Sequence, residues 1–237
     1  MKKNKHNKIL CLADLHLPFE HKDVIPFLKA IKDKFKPDTV VDLGDTTDHQ
    51  ALNFHDSDVD LPSAGDELLI AIKKLKALYK LFPEAYVLDS NHGSMAIRKC
   101  KHHGIPMKYI KTVEEVLEAP KGWNWINDLV LDLPNGQQVY FHHGLKKNGL
   151  LLAQQMGMSV VQGHYHTEFN IKYASSPNQL YWSMQVGCLI DDKSLAFAYN
   201  KTTLGRPILG CGIILNGIPR LLPMILDKKG RWIKEVI

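Results

Sequence analysis

Short apolar runs alternate with longer amphipathic segments through the first 90 residues. Buried strands are predicted at 8–16 (KILCLADLH), 38–45 (DTVVDLGD) and 85–90 (AYVLDS), since these runs have strand length and apolar content. Between them, residues 23–35 and 63–82 carry apolar side chains at helical spacing. Strands that alternate with helices of this length predict βαβ units and a largely parallel sheet.

The second half has a different pattern, in which alternating runs are joined by turn residues. Two hairpins are predicted, one over 125–144 around the Pro-Asn-Gly turn at 134–136 and one over 169–187. A short helix (LLLAQQMG) and a strand (158–169) lie between them, and 210–236 again predicts strand, turn and strand. Two facing sheets would bury both halves, so we expect a single α/β domain over 1–237 with two mixed β-sheets flanked by helices.

Five of the apolar runs are followed at once by Asp, Asn or His side chains. These residues are Asp14 and His16, then Asp45 and Asp48, then Asn91 and His92, then His142 and His143, and finally His164 and His166. Ligands of open α/β sheets bind beyond the carboxyl ends of the strands, so five such ends could surround one small volume. Carboxylate, amide and imidazole groups all donate lone pairs to a cation, and this set suits Mn, Fe or Zn better than a closed thiolate site. The candidates are too many for one tetrahedral ion and fit two ions bridged by a carboxylate.

The order of these motifs, ADLH, GDTTD, SNH, HHG and GHYH, resembles that of the calcineurin-like metallophosphoesterases. The family pattern is DxH, GDxxD, GNH followed by an acid, His before a small residue, and GHxH. The matches span residues 14–166 in the same order. The resemblance implies a four-layer α/β/β/α sandwich. The segment LAFAYNKTTLGRP (195–207) further resembles small single-domain members carried by bacterial viruses.

The resemblance implies a ligand set for two divalent ions, with Mn²⁺ the first expectation and Fe, Zn, Ni or Mg the alternatives. The first ion would be held by Asp14, His16 and His166, the second by Asn91, His143 and His164, and Asp45 would bridge the two. His143 is preferred over His142 because the family's ligand directly precedes the small residue.

The resemblance also implies the reaction, which is hydrolysis of a phosphate ester by a hydroxide that bridges the two ions. His92 would give a proton to the leaving group and Asp48 would orient His92, while Asn91 and His92 would both contact the substrate. Two neighbours depart from the family pattern: Ser90 replaces its Gly and Gly93 replaces its acid. This loop is therefore where the chain differs from the family.

Composition narrows the partners without choosing the substrate. The net charge of +5 and the pI near 8.9 favour anionic partners. The four cysteines are far apart, which favours reduced thiols in the cytoplasm, or in a host cytoplasm if the chain is phage-encoded. No apolar stretch approaches the ~20 residues of a membrane helix, so no membrane partner is expected.

The substrate expected first is a phosphorylated small molecule, namely a nucleotide monoester. A nuclease, a cyclic-nucleotide phosphodiesterase and a serine/threonine protein phosphatase could all use the same site, so nucleic acid stays open as a partner. A metal-bound scaffold without catalysis is a further alternative. The oligomeric state is left open.

Overall fold

Two β-sheets face each other in the computed structural model, which describes residues 6–52, 60–191, 193 and 205–236. The strands are β1 (Lys8–Leu12), β2 (Thr39–Asp42), β3 (Ala85–Leu88), β4 (Trp123–Ile126), β5 (Leu129–Asp132), β6 (Gln138–His142), β7 (Ser159–Gln162), β8 (Phe169–Ser175), β9 (Leu180–Val186), β10 (Gly210–Leu215) and β11 (Ile218–Pro223). The helices are α1 (Val24–Phe35), α2 (Ala64–Leu81), α3 (Met95–His102), α4 (Val113–Val116) and α5 (Gly149–Met156). Short 3-10 turns occupy Gln50–Leu52 and Met107–Tyr109.

The strands form a six-stranded and a five-stranded sheet, in the orders β11-β10-β1-β2-β3-β4 and β5-β6-β7-β9-β8. Strand β1 shows how the layers arise, because both of its faces are buried. Leu10 and Leu12 pack with the layer that includes Phe27 of α1 and Leu75 of α2, whereas Ile9 and Cys11 pack in the layer between the two sheets. A third apolar layer, with Tyr140 and Leu152, lies between the second sheet and α5. Two mixed sheets flanked by helices are thus confirmed.

The two long predicted helices form almost where their patterns place them. Helix α1 buries Val24, Phe27, Leu28 and Ile31, which share one face at helical spacing. Helix α2 begins after Ser63, whose hydroxyl oxygen accepts a hydrogen bond from the N–H of Asp66 and so caps the first turn.

Two sequence predictions need correction. The predicted strand 8–16 ends at Leu12, because Asp14 and His16 have φ of 54° and 51° and cannot continue an extended strand. The predicted hairpin 125–144 includes Trp125 and Ile126, which instead belong to β4 and pair parallel with β3. Only β5 and β6 form that hairpin.

The C-terminal hairpin also lies in a different sheet from the other hairpins. Strands β10 and β11 extend the first, largely parallel sheet, with β10 antiparallel to β1. Turn residues predict a hairpin from local sequence, but they do not say which distant strand it will pair with. Residues 195–204, which carry most of the resemblance to the viral proteins, lie outside the described residues.

The carboxyl ends of β1, β2 and β3 point the same way, as do those of β6 and β7, since each set is parallel. Among the described residues, no helix combines the length and the apolar character needed to cross a membrane. A single domain over 1–237 stays a prediction.

Candidate metal centre

The loops that follow β1, β2 and β3 meet the loops that follow β6 and β7 at one edge of the sandwich. Backbone hydrogen bonds tie these loops together: the N–H of Asp14 donates to Gly44 O (3.0 Å), that of His16 to Asp45 O (2.8 Å), and that of Gly163 to His143 O (2.8 Å). Contacts between the sheets, from His166 Nε2 to Asp14 Oδ1 (3.1 Å) and from His143 Nε2 to Asn91 Oδ1 (2.7 Å), bring the predicted ligand side chains together at this edge.

The first cluster contains Asp14, His16 and His166. The Nε2 atom of His166 lies 3.1 Å from Asp14 Oδ1 and 3.3 Å from His16 Nε2. Asp14 and His16 come from the first sheet and are fully buried, whereas His166 comes from the second sheet and is partly exposed. A further bond, from the N–H of His164 to Asp14 Oδ2 (2.8 Å), fixes the carboxylate.

The second cluster is centred on Nε2 of His143. This atom lies 2.7 Å from Asn91 Oδ1, 3.2 Å from Asp45 Oδ2 and 3.2 Å from His164 Nδ1. Asp45, His143 and His164 form a group of ligand atoms within 4.8 Å of one another. Asp45 also faces the first cluster, since its Oδ2 is 3.8 Å from His16 Nε2. Its carboxylate thus lies between the two groups.

The donor set fits a cation, because ring nitrogens and carboxylate oxygens face one another with their lone pairs. The Nδ1 atom of His143 lies 3.0 Å from the carbonyl oxygen of Leu43, which can only accept, so Nδ1 carries the proton. In the neutral ring Nε2 is then an acceptor, and it points at the carboxylate of Asp45. His16 is arranged in the same way: its Nδ1 lies 2.6 Å from Asp48 Oδ1 and carries the proton, so Nε2 is the acceptor in the neutral ring. Acceptors in this arrangement repel one another unless a positive charge lies between them.

Shifts of pKa report the same preference for positive charge. Burial alone would lower the pKa of His16, but hydrogen bonds to Asp14 and Asp48 raise it to about 10. Burial would raise the pKa of Asp45, but the hydrogen bond with His143 and the charges of His143 and His16 hold it well below its usual range. The site therefore favours bound positive charge, whether protons or a metal ion supply it.

His92 and Asp48 lie together beside the first cluster. The Nδ1 atom of His92 faces the backbone carbonyl of Asp48 at 2.5 Å and its Oδ1 at 3.2 Å. The carboxylate lies closer to His16 (2.6 Å) than to His92, so Asp48 is shared between a predicted ligand and the predicted proton donor. The His92 side chain is 21% exposed, whereas that of Asp48 is 2% exposed. His92 can therefore meet a ligand from solvent.

His142 lies apart from these clusters because neighbouring residues of β6 point to opposite faces of the sheet. Its ring lies near Tyr140, on the side covered by α5, with ring centroids 6.0 Å apart. Its Nδ1 accepts a hydrogen bond from the N–H of Gly144 (3.1 Å). His143 points the other way, into the second cluster.

Ser90 and Gly93, the two departures from the family pattern, contact each other, which the sequence did not indicate. The hydroxyl oxygen of Ser90 accepts from the N–H of Asp45 (2.9 Å) and from that of Gly93 (3.1 Å). Ser90 is buried, at 7% exposure, so it holds the backbone of Asp45 from inside the protein. A Cβ atom on Gly93 would lie 2.8 Å from the Ser90 hydroxyl oxygen. The glycine is therefore needed because the serine is present.

Four of the predicted ligand residues have left-handed backbone, with φ of 54° at Asp14, 51° at His16, 49° at Asp45 and 67° at His164. Such conformations cost about 1 kcal/mol or more each and gather at functional sites. Position 163 must also be glycine, because a Cβ there would lie 2.6 Å from Asp14 Oδ2. The Gly-His pair of GHYH is the sequence feature that could have indicated this contact.

Comparison by sequence finds no relative: neither a protein-family model nor a curated protein matches the chain. Comparison by structure finds Vps29 of Chaetomium thermophilum, with a TM-score of 0.50, 12% identity, and coverage of 98% of this chain and 95% of that one. A phosphoesterase from E. coli, Yfce, matches with a TM-score of 0.46, 12% identity, and coverage of 97% and 98%. A Vps29 single mutant from Entamoeba histolytica matches with a TM-score of 0.47 and 11% identity, and the match covers 92% of this chain and 93% of that one. At these identities, the likeness to the Chaetomium protein establishes that this chain has the same α/β sandwich fold.

Proposed function

We propose that this protein hydrolyses phosphate esters with two divalent metal ions held at the centre described above. The observation that carries the proposal is the set of facing acceptor atoms, with the carboxylate of Asp45 between His16 (3.8 Å) and His143 (3.2 Å). The first ion would be held by Asp14, His16 and His166, the second by Asn91, His143 and His164, and both by Asp45. When bound, divalent ions at such a site supply Lewis acidity and positive charge toward a phosphate group.

His92 is the residue proposed to move a proton. Its Nδ1 faces two acceptor oxygens of Asp48 and therefore carries a hydrogen, which leaves Nε2 as the atom that can protonate a leaving-group oxygen. Burial would lower the pKa of His92, but the hydrogen bond with Asp48 and the charge of Asp45 raise it above its usual value. A raised pKa keeps more of the ring in the protonated form that an acid needs.

Manganese is the proposed metal, because oxygen and imidazole ligands without thiolate suit it. The proposed substrate is a phosphorylated small molecule of the nucleotide class. A nuclease is the second candidate, and the observation that favours it is a cationic surface beside the site, described in the next section.

The test is a substrate panel with the full chain, stripped with EDTA and reloaded with Mn²⁺. Release of product is measured from p-nitrophenyl phosphate, bis-p-nitrophenyl phosphate, deoxynucleoside monophosphates, cyclic nucleotides, DNA and a phosphopeptide. Asp45→Asn should lose metal binding and nearly all activity, whereas Asp33→Asn, on an exposed face of α1, should keep both. Bound metal with no hydrolysis of any substrate would contradict the proposal and favour a scaffold.

A further inference from the structure

We propose, resting on the phosphate-ester hydrolysis proposed above and choosing its second candidate, a nuclease, that residues 98–111 bind a single-stranded polynucleotide and present one of its phosphate esters to the metal centre. This segment, which we call the basic strip, runs from α3 through the 3-10 turn at Met107–Tyr109 to the residue before the N-cap of α4. Its cations are Arg98, Lys99, Lys101, Lys108 and Lys111, and it also contains His102 and His103.

The charge of the basic strip sets it apart from the rest of the chain. It holds five of the chain's 30 lysines and arginines and none of its 25 aspartates and glutamates, so it alone accounts for the net charge of +5. The nearest acids along the chain are Asp89 and Glu114. Glu115, the next acid, caps α4 by accepting from the N–H of Thr112 (2.8 Å), and its pKa is lowered by that bond and, to a lesser degree, by Lys111.

The helix dipole explains only part of this charge. Lys99, Lys101 and His102 lie in the last turn of α3, where cations stabilise the partial negative charge of the helix end. Lys108 lies in the three-residue 3-10 turn and Lys111 precedes the N-cap of α4, so the dipole of α3 does not account for them. A run of mostly exposed cations that extends past the end of the helix favours a polyanion as its partner.

Exposed apolar and aromatic side chains lie between the cations. Tyr109 is 75% exposed and is flanked in sequence by Lys108 and Lys111, while Ile105 and Met107 are each 43% exposed. An exposed ring between two cations matches the two needs of single-stranded nucleic acid, which are a stacking surface for bases and positive charge for phosphates. An acidic peptide would use the charges but has no need of the ring.

The basic strip begins at the site itself. Helix α3 starts at Met95, three residues after His92, and the guanidinium of Arg98 donates to the backbone carbonyl of Asn91 (2.5 Å). The loop after His143 carries a further exposed cation, Lys147. A strand lying along the strip would therefore reach the loop that holds Asn91 and His92.

The test compares two matched pairs of substitutions in the full chain. Lys101→Gln/Lys108→Gln removes two charges from the strip, whereas Lys80→Gln/Lys121→Gln removes two exposed charges near the opposite edge, where Leu81 and Lys121 line a cavity beside the first residues of β2 and β3. Binding of fluorescein-labelled oligothymidylate is followed by anisotropy in EDTA, which prevents hydrolysis, at several NaCl concentrations.

The strip pair should weaken binding about tenfold and reduce the slope of log K against log salt by ~1.4, because each lost phosphate contact on a single strand contributes ~0.7. The control pair should leave affinity and slope unchanged. Tyr109→Ala should weaken binding by a further factor of about ten, in line with the loss of one stacked base.

Equal binding by the two pairs would overturn the proposal. The proposal would also be overturned if polyglutamate competed as effectively as unlabelled oligothymidylate and Tyr109→Ala had no effect. That combined result would describe a surface that binds any polyanion. Hydrolysis of bis-p-nitrophenyl phosphate is measured in parallel. Activity there without oligonucleotide binding refutes the strip and leaves the phosphoesterase standing, whereas strip-dependent binding without any hydrolysis supports the strip and refutes the phosphoesterase.

Discussion

The pairing of Ser90 with Gly93 predicts that alanine at position 93 is harmful only while the serine is present. In the native chain a Cβ at 93 lies 2.8 Å from the Ser90 hydroxyl oxygen, which is closer than such atoms can approach. If the hydroxyl rotates away, the N–H groups of Asp45 and Gly93 lose their acceptor. If the hydroxyl stays in place, the new Cβ overpacks the loop, and if it rotates away, two backbone N–H donors are left without an acceptor. Both responses destabilise the fold.

The magnitude follows from those two bonds. Each is worth about 1 kcal/mol, so Gly93→Ala should lower the free energy of unfolding by about 2 kcal/mol. In a Ser90→Gly background the bonds are already absent and no other atom lies within 3.8 Å of the new Cβ, so Gly93→Ala should cost close to nothing. The coupling energy of the double-mutant cycle is therefore expected near 2 kcal/mol. The backbone cost of Ser90→Gly appears on both sides of the cycle and cancels.

The free energies of unfolding of all four proteins are measured by urea titration in EDTA, so that no metal ion adds to stability. Gly65→Ala is the matched control, because a Cβ there meets nothing within 4 Å, and its effect should be the same in both backgrounds. If Gly93→Ala costs as much after Ser90→Gly as before it, the serine is not the obstacle and the reasoning is wrong.

Three further predictions concern the pH dependence of stability and the shared carboxylate. Asp23 accepts two hydrogen bonds from Arg231, which hold its pKa below the value in the unfolded chain. Asp23→Asn should therefore lower the urea midpoint at pH 7. The difference in midpoint from wild type should shrink below about pH 4, where the carboxylate becomes protonated in the unfolded wild-type chain. Burial raises the pKa of Asp42 to about 7, so the wild-type protein should lose stability as pH rises from 5 to 8. Asp42→Asn should gain stability relative to wild type over that range. A stability difference between the two proteins that stays constant with pH in urea titrations would contradict the effect of burial. His92→Asn should keep metal affinity but cut turnover, least for substrates with good leaving groups, whereas Asp48→Asn, which also releases His16, should lower both metal affinity in calorimetry and kcat. An Asp48→Asn protein with unchanged metal affinity would show that its contact with His16 is dispensable.

The sequence was enough to predict which side chains the structure brings together, because they follow directly after apolar runs that mark the ends of strands. Apolar runs mark β1, β2 and β3, and parallel pairing then brings Asp14, Asp45 and Asn91 to one edge. These inferences need only short stretches of chain and a rule about parallel sheets.

The remaining features depend on contacts between distant or single atoms. The hydroxyl of Ser90 matters through its distance to the N–H of Asp45, and one serine in a loop produces no periodic signal. The register that pairs Lys8 with Leu215 joins residues from opposite ends of the described chain. Asp48 illustrates the same limit, because its contact with His16 depends on the fold of two loops rather than on motif spacing.

The order of strands in the first sheet has a consequence for how the site is made during synthesis. Strand β1 lies between β2 and β10, so its hydrogen bonds to β10 can form only after residues 210–215 have been synthesised. Every predicted ligand has already been translated by residue 166. The second sheet, by contrast, is one continuous stretch from β5 to β9 and can assemble as soon as it leaves the ribosome. A chain truncated just before β10 would contain every predicted ligand and still leave β1 at an open edge, so the loop carrying Asp14 and His16 would be held from one side only. The loop that carries these two predicted ligands would thus reach its final support only after residues 210–215 have been synthesised.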